Sequence, residues 1–409
     1  MQKIIKLIKD KQHVIFPFLD IALNGVNYLF HIYVSWYLFA SDYGILNSLL
    51  ALAAILFVTG ISFQTYTAKQ ISKEKSDKTF SEIIKLGLFS GMIISVLLIA
   101  ISPFLIGITR SDFLSIILVM AIFLSNLLLS ILRGGFQGRK EFLNLNASFY
   151  IEVLSKVFIL FIFLRYFRNI HFVLLSILVG MVLSLVHGYL KNRKHIHIKK
   201  AKIMVIKNRL RILSKVFIAN FFLYFFTSID MILVNYFIPE ISGVFAVVLK
   251  YSQIIMFVGF SIITVFIPLL SGSKDDEEFK KHFRKIFLIM IFLAVLGIIL
   301  YSFVLPLTVD LFFDTQYADA TNYLLVGAVP YILLAFSFLM VNVNIVLEKT
   351  KHLFILGISS VLLFTGLILF HDSIKTVFTV ETIVYGILLL SLFVEYIIQR
   401  REKYENTKG

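Results

Sequence analysis

The stretch that decides the fold is residues 212–270: ILSKVFIANFFLYFFTSIDMILVNYFI (212–238), PEISG (239–243) and VFAVVLKYSQIIMFVGFSIITVFIPLL (244–270). Each apolar arm exceeds the roughly 20 residues that a helix needs to cross a bilayer. Asp230 lies well inside the first arm and Lys250 well inside the second. A charge at that depth costs on the order of 3 kcal/mol, so such residues usually have a function. The stretch therefore predicts a membrane-spanning helical hairpin that lines a polar cavity.

The composition of the whole chain supports a membrane protein. Of its 409 residues, 59% are hydrophobic and only 15% are charged, whereas a soluble domain carries about 25% charged residues. The chain has no Cys, which excludes a disulfide framework, a thiolate metal site and a cysteine nucleophile. These values predict an all-α, polytopic membrane protein.

Apolar runs separated by short polar segments divide the chain into twelve predicted membrane spans. They are 14–40, 45–68, 86–108, 113–132, 145–164, 171–190, 212–238, 244–270, 286–312, 321–346, 354–370 and 381–398.

The loops between these spans alternate between basic and nearly uncharged. One set contains 32 of the 39 Lys and Arg residues, whereas the other contains only Arg110, Arg165, Arg168 and Lys375. Because cytoplasmic loops are enriched in Lys and Arg, this asymmetry predicts a cell-membrane protein with both termini in the cytoplasm. The net charge of +15 is therefore explained by orientation in the membrane and by contact with membrane lipids. It does not indicate a nucleic-acid partner.

A weak internal repeat relates the two halves of the chain. YLFASDYGIL (37–46) aligns with YFIPEISGVF (236–245), and the same offset sets His31 against Asp230. An even number of spans in each half gives both halves the same orientation. We therefore predict two six-helix lobes, residues 1–198 and 199–409, related by a pseudo-two-fold axis along the membrane normal with a cleft between them.

The charges inside the hairpin allow two interpretations. Asp230 and Lys250 lie at similar depths on adjacent antiparallel spans, so they could form a structural ion pair. Alternatively, Lys250 faces the cleft as a phosphate contact, and Asp230 tunes or releases it.

Four further ionisable positions are candidates in the first half. Glu152 and Lys156 have the i, i+4 spacing of an intrahelical pair, yet Lys156 could instead join Lys250 in a cationic band. His31 could carry a proton in a coupled cycle or simply bond to a neighbouring helix. Asp20 lies near the inner surface and is a weaker candidate for ion coupling.

The sequence contains no catalytic constellation. It has no GxxxxGK[ST] phosphate loop and no arrangement of nucleophile, base and orienting group. We therefore predict a protein that is not an enzyme and has no metal site or bound cofactor. Two driving forces stay open: a gradient of H⁺ or Na⁺, or consumption of the product outside.

Several stretches resemble one family. YLFASDYGILNSLLAL (37–52), RGGFQGRKEFLNLNASFYIEVLSKVFI (133–159), TSIDMILVNYFIPEISGVFAVVLKYSQI (227–254) and FIPLLS (266–271) are similar to segments of polysaccharide repeat-unit flippases. These proteins handle O-antigen, capsule or exopolysaccharide units and belong to the multidrug/oligosaccharidyl-lipid/polysaccharide exporter superfamily. The resemblance implies twelve helices in two lobes around a V-shaped cleft.

The resemblance also implies a function. Such a protein moves an undecaprenyl-pyrophosphate-linked oligosaccharide from the cytoplasmic to the outer leaflet, alongside other polysaccharide-assembly proteins. Lys250 and Asp230 match the basic and acidic positions of the family's eighth and seventh helices, whereas His31, Glu152 and Lys156 fit the cavity by location.

Three alternatives stay open. A cation-coupled multidrug exporter of the same fold is disfavoured because Asp20 sits too early in the first span. A peptidoglycan-precursor flippase is disfavoured because the chain stops at twelve spans and shows no intramembrane Arg. A membrane polysaccharide polymerase is disfavoured most, because no long outer loop with catalytic Arg or His is present.

Overall fold

A computed structural model describes residues 12–197, 206–273, 275–347 and 351–406 of the chain. Within these ranges every regular element is a helix and no strand occurs. Apolar segments in lipid must satisfy their backbone hydrogen bonds internally, and a helix does so within one segment. The predicted all-helical, multi-pass fold class is confirmed.

The chain divides into two compact units between Tyr224 and Phe225, while the predicted lobe boundary at residues 198 and 199 lies outside the described residues. The helices up to this division are α1 (Gln12–Tyr37), α2 (Ala40–Glu74), α3 (Asp77–Ala100), α4 (Ser102–Thr109), α5 (Phe113–Gly138), α6 (Phe142–Tyr166), α7 (Ile170–Asn192) and α8 (Ile206–Phe226), which crosses it.

The second unit contains the remaining helices. They are α9 (Ile229–Phe237), α10 (Ser242–Ser271), α11 (Asp276–Phe303), α12 (Leu305–Phe312), α13 (Leu324–Val346), α14 (Lys351–Leu369) and α15 (Ile374–Asn406). Short 3₁₀ turns occupy Arg193–His195, Pro239–Ile241 and Thr315–Tyr323. Eleven helical segments of the described chain are long and apolar enough to span a membrane. The other predicted span, 14–40, falls on α1, whose first-half side chains lie largely outside the described part.

The packing order of the first unit recurs in the second. In the first unit α2 packs on α5, α5 on α7, and α6 on α7. In the second unit α10 packs on α13, α13 on α15, and α14 on α15. These are the second, fourth, fifth and sixth spans of each half, so the repeat visible in the sequence extends to the helix packing.

Three predicted spans are each divided into two helices, and in two of them the second helix begins with a proline. The span 86–108 divides between α3 and α4, and the span 286–312 divides between α11 and α12. Each short helix that follows has a proline in its first two positions, Pro103 in α4 and Pro306 in α12. Proline lacks the amide hydrogen that a helix start leaves unbonded, so it is favoured there. The expectation of continuous helices was wrong at these two points.

Glycines bring neighbouring helices into close contact. A methyl group on Gly134 of α5 would lie 2.5 Å from the carbonyl oxygen of Gln64 in α2. A methyl group on Gly180 of α7 would lie 2.6 Å from the carbonyl oxygen of Glu152 in α6. Small residues permit this approach between membrane helices, where packing stabilises association. Gly180 thereby fixes the helix that carries Glu152 and Lys156.

Candidate functional site: buried charges in both units

The first charged cluster centres on Arg133 of α5. Its Nη2 lies 2.6 Å from Oε2 of Glu152 in α6, and both side chains are largely buried. Its Nε donates to Oγ of Ser148 at 2.9 Å, and its guanidinium lies 3.8 Å from the ring centroid of Phe149. The ion pair and the hydrogen bonds compensate for burying the arginine.

This cluster corrects two expectations from the sequence. Arg133 was placed in a basic inner loop, 133–143, and the chain was taken to lack an intramembrane Arg. Both expectations were wrong, because α5 continues to Gly138 and Arg133 is only 4% exposed. The signal available in the sequence was Ser148 and Glu152, which lie on one face of the next helix at i, i+4.

Lys156 lies one turn beyond Glu152 but has other partners. Its Nζ donates to Oδ1 of Asn27 in α1 at 2.5 Å and lies 4.5 Å from the ring centroid of Phe30. Because Glu152 forms its ion pair with Arg133, the expected Glu152–Lys156 pair was wrong. An amide oxygen and an aromatic face hold the ammonium group, and the cluster keeps one excess positive charge.

The other two candidates of the first unit lie on α1. His31 is half-buried, and its ring centroid lies 5.4 Å from that of Phe30. Asp20 falls within α1, but its side chain lies outside the described part of the structure. Phe30 contacts both Lys156 and His31, which places these two candidates in one neighbourhood.

In the second unit a break in the seventh predicted span positions Asp230. The helix α8 ends at Phe226 and α9 begins at Ile229, so the expected continuous helix 212–238 was wrong. A break inside the membrane leaves carbonyl groups without helical partners. The Tyr385 hydroxyl donates to the Phe226 carbonyl at 2.6 Å, and Gln253 Nε2 donates to the Thr227 carbonyl at 3.3 Å. Side chains from α15 and α10 thus stabilise the break.

Asp230 is fully buried in the first turn of α9. Its Oδ1 accepts from the backbone nitrogen of Met231 at 2.7 Å, and its Oδ2 accepts from the hydroxyl of Tyr331 in α13 at 2.9 Å. The positive end of a helix dipole favours a carboxylate at this position. The break therefore creates a site that accommodates a negative charge inside the membrane.

Glu381 of α15 faces Asp230 and was missed by the sequence analysis. It is 0% exposed, and neither carboxyl oxygen accepts a hydrogen bond from a donor group in the described residues. Its carboxyl group interacts electrostatically with that of Asp230. A buried carboxylate without a hydrogen-bond donor is very unfavourable, so Glu381 is a candidate site for a proton. Little in the sequence indicates this role of Glu381, because residue 381 is the first residue of the predicted span 381–398.

Lys250 lies in α10 and is half-buried. Its positive charge acts on Asp230. The second unit thus brings together one lysine and two buried carboxyl groups. Within the described residues, no group of three or more His, Asp or Glu side chains is arranged to hold a metal ion.

Known structures share this fold across nearly the whole chain. An inward-facing MATE-family multidrug resistance transporter of the MOP superfamily matches with a TM-score of 0.75 at 12% identity, covering 94% of this chain and 95% of that one. The lipid II flippase MurJ, in an inward closed conformation, matches with a TM-score of 0.75 at 13% identity, covering 94% and 87%. A MOP-superfamily transporter from Pyrococcus furiosus matches with a TM-score of 0.62 at 16% identity, covering 94% and 93%.

The fold therefore defines a multi-pass membrane protein with the architecture of the MOP-superfamily transporters. A family model described as polysaccharide biosynthesis protein matches residues 15–274, and no curated protein sequence is significantly similar to the chain. The chain belongs to the polysaccharide biosynthesis protein family. The resemblance drawn from the sequence is confirmed.

Proposed function

We propose that this protein is a flippase that moves a lipid-linked oligosaccharide, carried on undecaprenyl pyrophosphate, from the cytoplasmic to the outer leaflet. The observation that carries the proposal is the environment of Lys156. Arg133 neutralises Glu152, so Lys156 remains an intramembrane cation held by neutral groups. Such a cation is a good partner for a diphosphate.

The substrate has two parts with different solvent preferences. The diphosphate and the sugars need polar surroundings, whereas the prenyl tail is stable in lipid. Binding the head group at the intramembrane cations while the tail stays in the bilayer satisfies both needs. Alternating access then moves the head group without covalent chemistry, so the protein requires no catalytic residue.

The carboxyl pair of the second unit supplies a means of coupling to protons. When Asp230 is ionised, its charge balances that of Lys250. When a proton neutralises Asp230, the charge of Lys250 becomes available to the diphosphate. We propose that Glu381 exchanges this proton with Asp230, with the break between α8 and α9 holding the carboxylate in place. Na⁺ is the alternative coupling ion.

Surface glycan display in the native host tests the proposal. Deleting the gene should abolish the display, and the wild-type chain should restore it. The variant Lys250→Ala should not restore it although its membrane level is normal. Lys375→Ala, which removes a lysine from a nearly uncharged loop, is the matched control and should restore display fully. Full display with Lys250→Ala would remove the proposed phosphate contact.

The proton coupling has its own test in reconstituted vesicles. Glu381→Gln keeps a hydrogen-bond donor toward Asp230 but exchanges no proton. Export should therefore lose its response to an imposed pH gradient while the melting temperature stays near that of the wild type. An unchanged response in this variant would refute the role of Glu381 in coupling.

Two alternatives predict different phenotypes. A multidrug exporter predicts drug resistance on overexpression and no loss of surface glycan. A peptidoglycan-precursor flippase becomes more relevant now that Arg133 is placed inside a membrane helix. That alternative predicts restored growth when the chain is expressed in cells depleted of their lipid II flippase. The proposed function predicts neither result.

A further inference from the structure

A charged cavity lies in the first unit where α4 ends and α5 and α7 begin. Its volume is about 350 Å³, and its lining includes Asp42, Arg110, Ser111, Arg168 and Asn169. This volume falls at the lower end of the range for ligand pockets, ~300–1,000 Å³. The charge asymmetry of the loops predicts that this cavity opens on the outer face. It does not include Lys156 or Lys250.

Some of the charges around the cavity already have partners. His171 Nε2 lies 2.7 Å from Oδ2 of Asp112, and Oδ1 of Asp112 accepts from the Ser115 nitrogen at 2.7 Å. Burial would raise the pKa of Asp112, but the hydrogen bonds from His171 and Ser115 lower it below its usual range. These groups therefore form the frame of the cavity.

Asp42 and Arg168 are different. Arg168 is exposed, and its guanidinium lies 5.7 Å from the ring centroid of Tyr37. Neither Asp42 nor Arg168 forms a hydrogen bond or an ion pair with any described residue. The Asp42 carboxylate and the Arg168 guanidinium line one small cavity but do not pair with each other. A ligand in this cavity can therefore contact both groups.

We propose that this cavity binds an acidic sugar residue, a uronic acid within a glycan. Guanidinium groups such as those of Arg110 and Arg168 match a carboxylate in shape and charge. The Asp42 carboxylate and the Ser111 hydroxyl can accept hydrogen bonds from sugar hydroxyls. A bare anion would gain nothing from Asp42, whereas a polyhydroxylated acid uses both signs of charge.

The inference deepens the proposed function and rests on it for the glycan class. A binding assay separates the two claims, because it requires no transport. Glycan display can persist when sugar binding fails, and sugar binding can persist when Lys250→Ala has abolished display. The two failures are therefore distinguishable.

The single tryptophan of the chain provides the signal. Trp36 is adjacent to Tyr37, whose ring faces the guanidinium of Arg168. The purified protein in phosphatidylcholine nanodiscs is titrated with glucuronate, glucose and inorganic phosphate, and Trp36 fluorescence is recorded. Glucuronate should give a saturable change. Glucose and phosphate should each bind with an affinity at least about tenfold lower than that of glucuronate.

Three variants test the contacts. Arg168→Ala should weaken glucuronate binding about tenfold, the loss expected for one charge-assisted contact. Arg110→Gly removes the second guanidinium at a residue with φ of 52°, where glycine is favoured, so the fold should be retained while glucuronate binding weakens. Asp42→Asn should weaken glucuronate binding but strengthen phosphate binding, because it removes an acceptor and a repulsive charge together.

The matched control is Arg165→Ala, which removes an exposed arginine at the end of α6 outside the cavity lining. It should bind glucuronate like the wild type. Equal weakening by Arg165→Ala and Arg168→Ala would overturn the proposal. Phosphate binding as tight as glucuronate binding would overturn the sugar assignment and indicate a site for phosphate groups. The absence of any saturable glucuronate signal would overturn the proposal entirely.

Discussion

At Lys156, an ammonium group inside a membrane helix is held by the amide oxygen of Asn27 and the ring of Phe30. Neither of these two partners carries a charge, and Glu152 forms its ion pair with Arg133. In the second unit, Lys250 and Glu381 both act on Asp230 through their charges. The two lysines thus have different environments. Neutral groups contact Lys156, whereas Lys250 acts on a buried carboxyl group.

Lys156→Met tests the first of these roles. Methionine keeps the length and the apolar stem of the side chain but removes the charge, so substrate export should fall at least tenfold. Stability should be unchanged or slightly higher, because the variant no longer buries an ammonium group. Export in reconstituted vesicles and the melting temperature measure the two effects. Arg165→Met, on the exposed end of the same helix, should change neither.

At the scale of helices, the break between α8 and α9 depends on donors from distant parts of the second unit. Tyr385→Phe removes the hydrogen bond to the Phe226 carbonyl and leaves that buried group unbonded. The expected loss in the free energy of unfolding is about 1–3 kcal/mol, measured as a lower melting temperature. Tyr189→Phe changes an exposed tyrosine of α7 and should have little effect. A melting temperature for Tyr385→Phe equal to the control would contradict this account of the break.

The contact between α2 and α5 gives a second prediction for helices. Gly134→Ala places a methyl group 2.5 Å from the Gln64 carbonyl oxygen, so the helices must separate at a cost of about 1–3 kcal/mol. Gly386→Ala in α15 is the matched control, because a methyl group there meets no atom within 4 Å. Thermal unfolding should separate the two variants. Equal melting temperatures would show that α2 and α5 tolerate the extra methyl group.

At the scale of the whole molecule, the loop charges predict the orientation in the membrane. The chain has no Cys, so single cysteines can be introduced without background labelling. Asp372→Cys, between α14 and α15, should react with a membrane-impermeant maleimide in intact cells. Glu277→Cys, in the first turn of α11, should react only after the cells are opened. The reverse pattern would overturn the predicted cytoplasmic termini.

The sequence predicts the spans and the depth of Asp230 and Lys250, because hydropathy and charge act locally. It does not predict the Arg133–Glu152 ion pair, because Arg133 follows an apolar run that could equally end before it. The site of Asp230 and the break at Thr227 depend on donors from α10, α13 and α15, far away in sequence. Such contacts between distant helices leave no periodic pattern in the sequence. The prolines at the start of α4 and α12, in contrast, are local helix-start signals that can be recognised in the sequence.

We propose that this protein carries a lipid-linked oligosaccharide across the bilayer on intramembrane lysines. The most direct measurement is the transfer of an undecaprenyl-pyrophosphate-linked oligosaccharide between leaflets of vesicles that contain the purified protein. The account predicts transfer well above that of protein-free vesicles, and its loss in both Lys156→Met and Lys250→Ala. Transfer no faster than in protein-free vesicles, or equal transfer by the wild type and both variants, would contradict it.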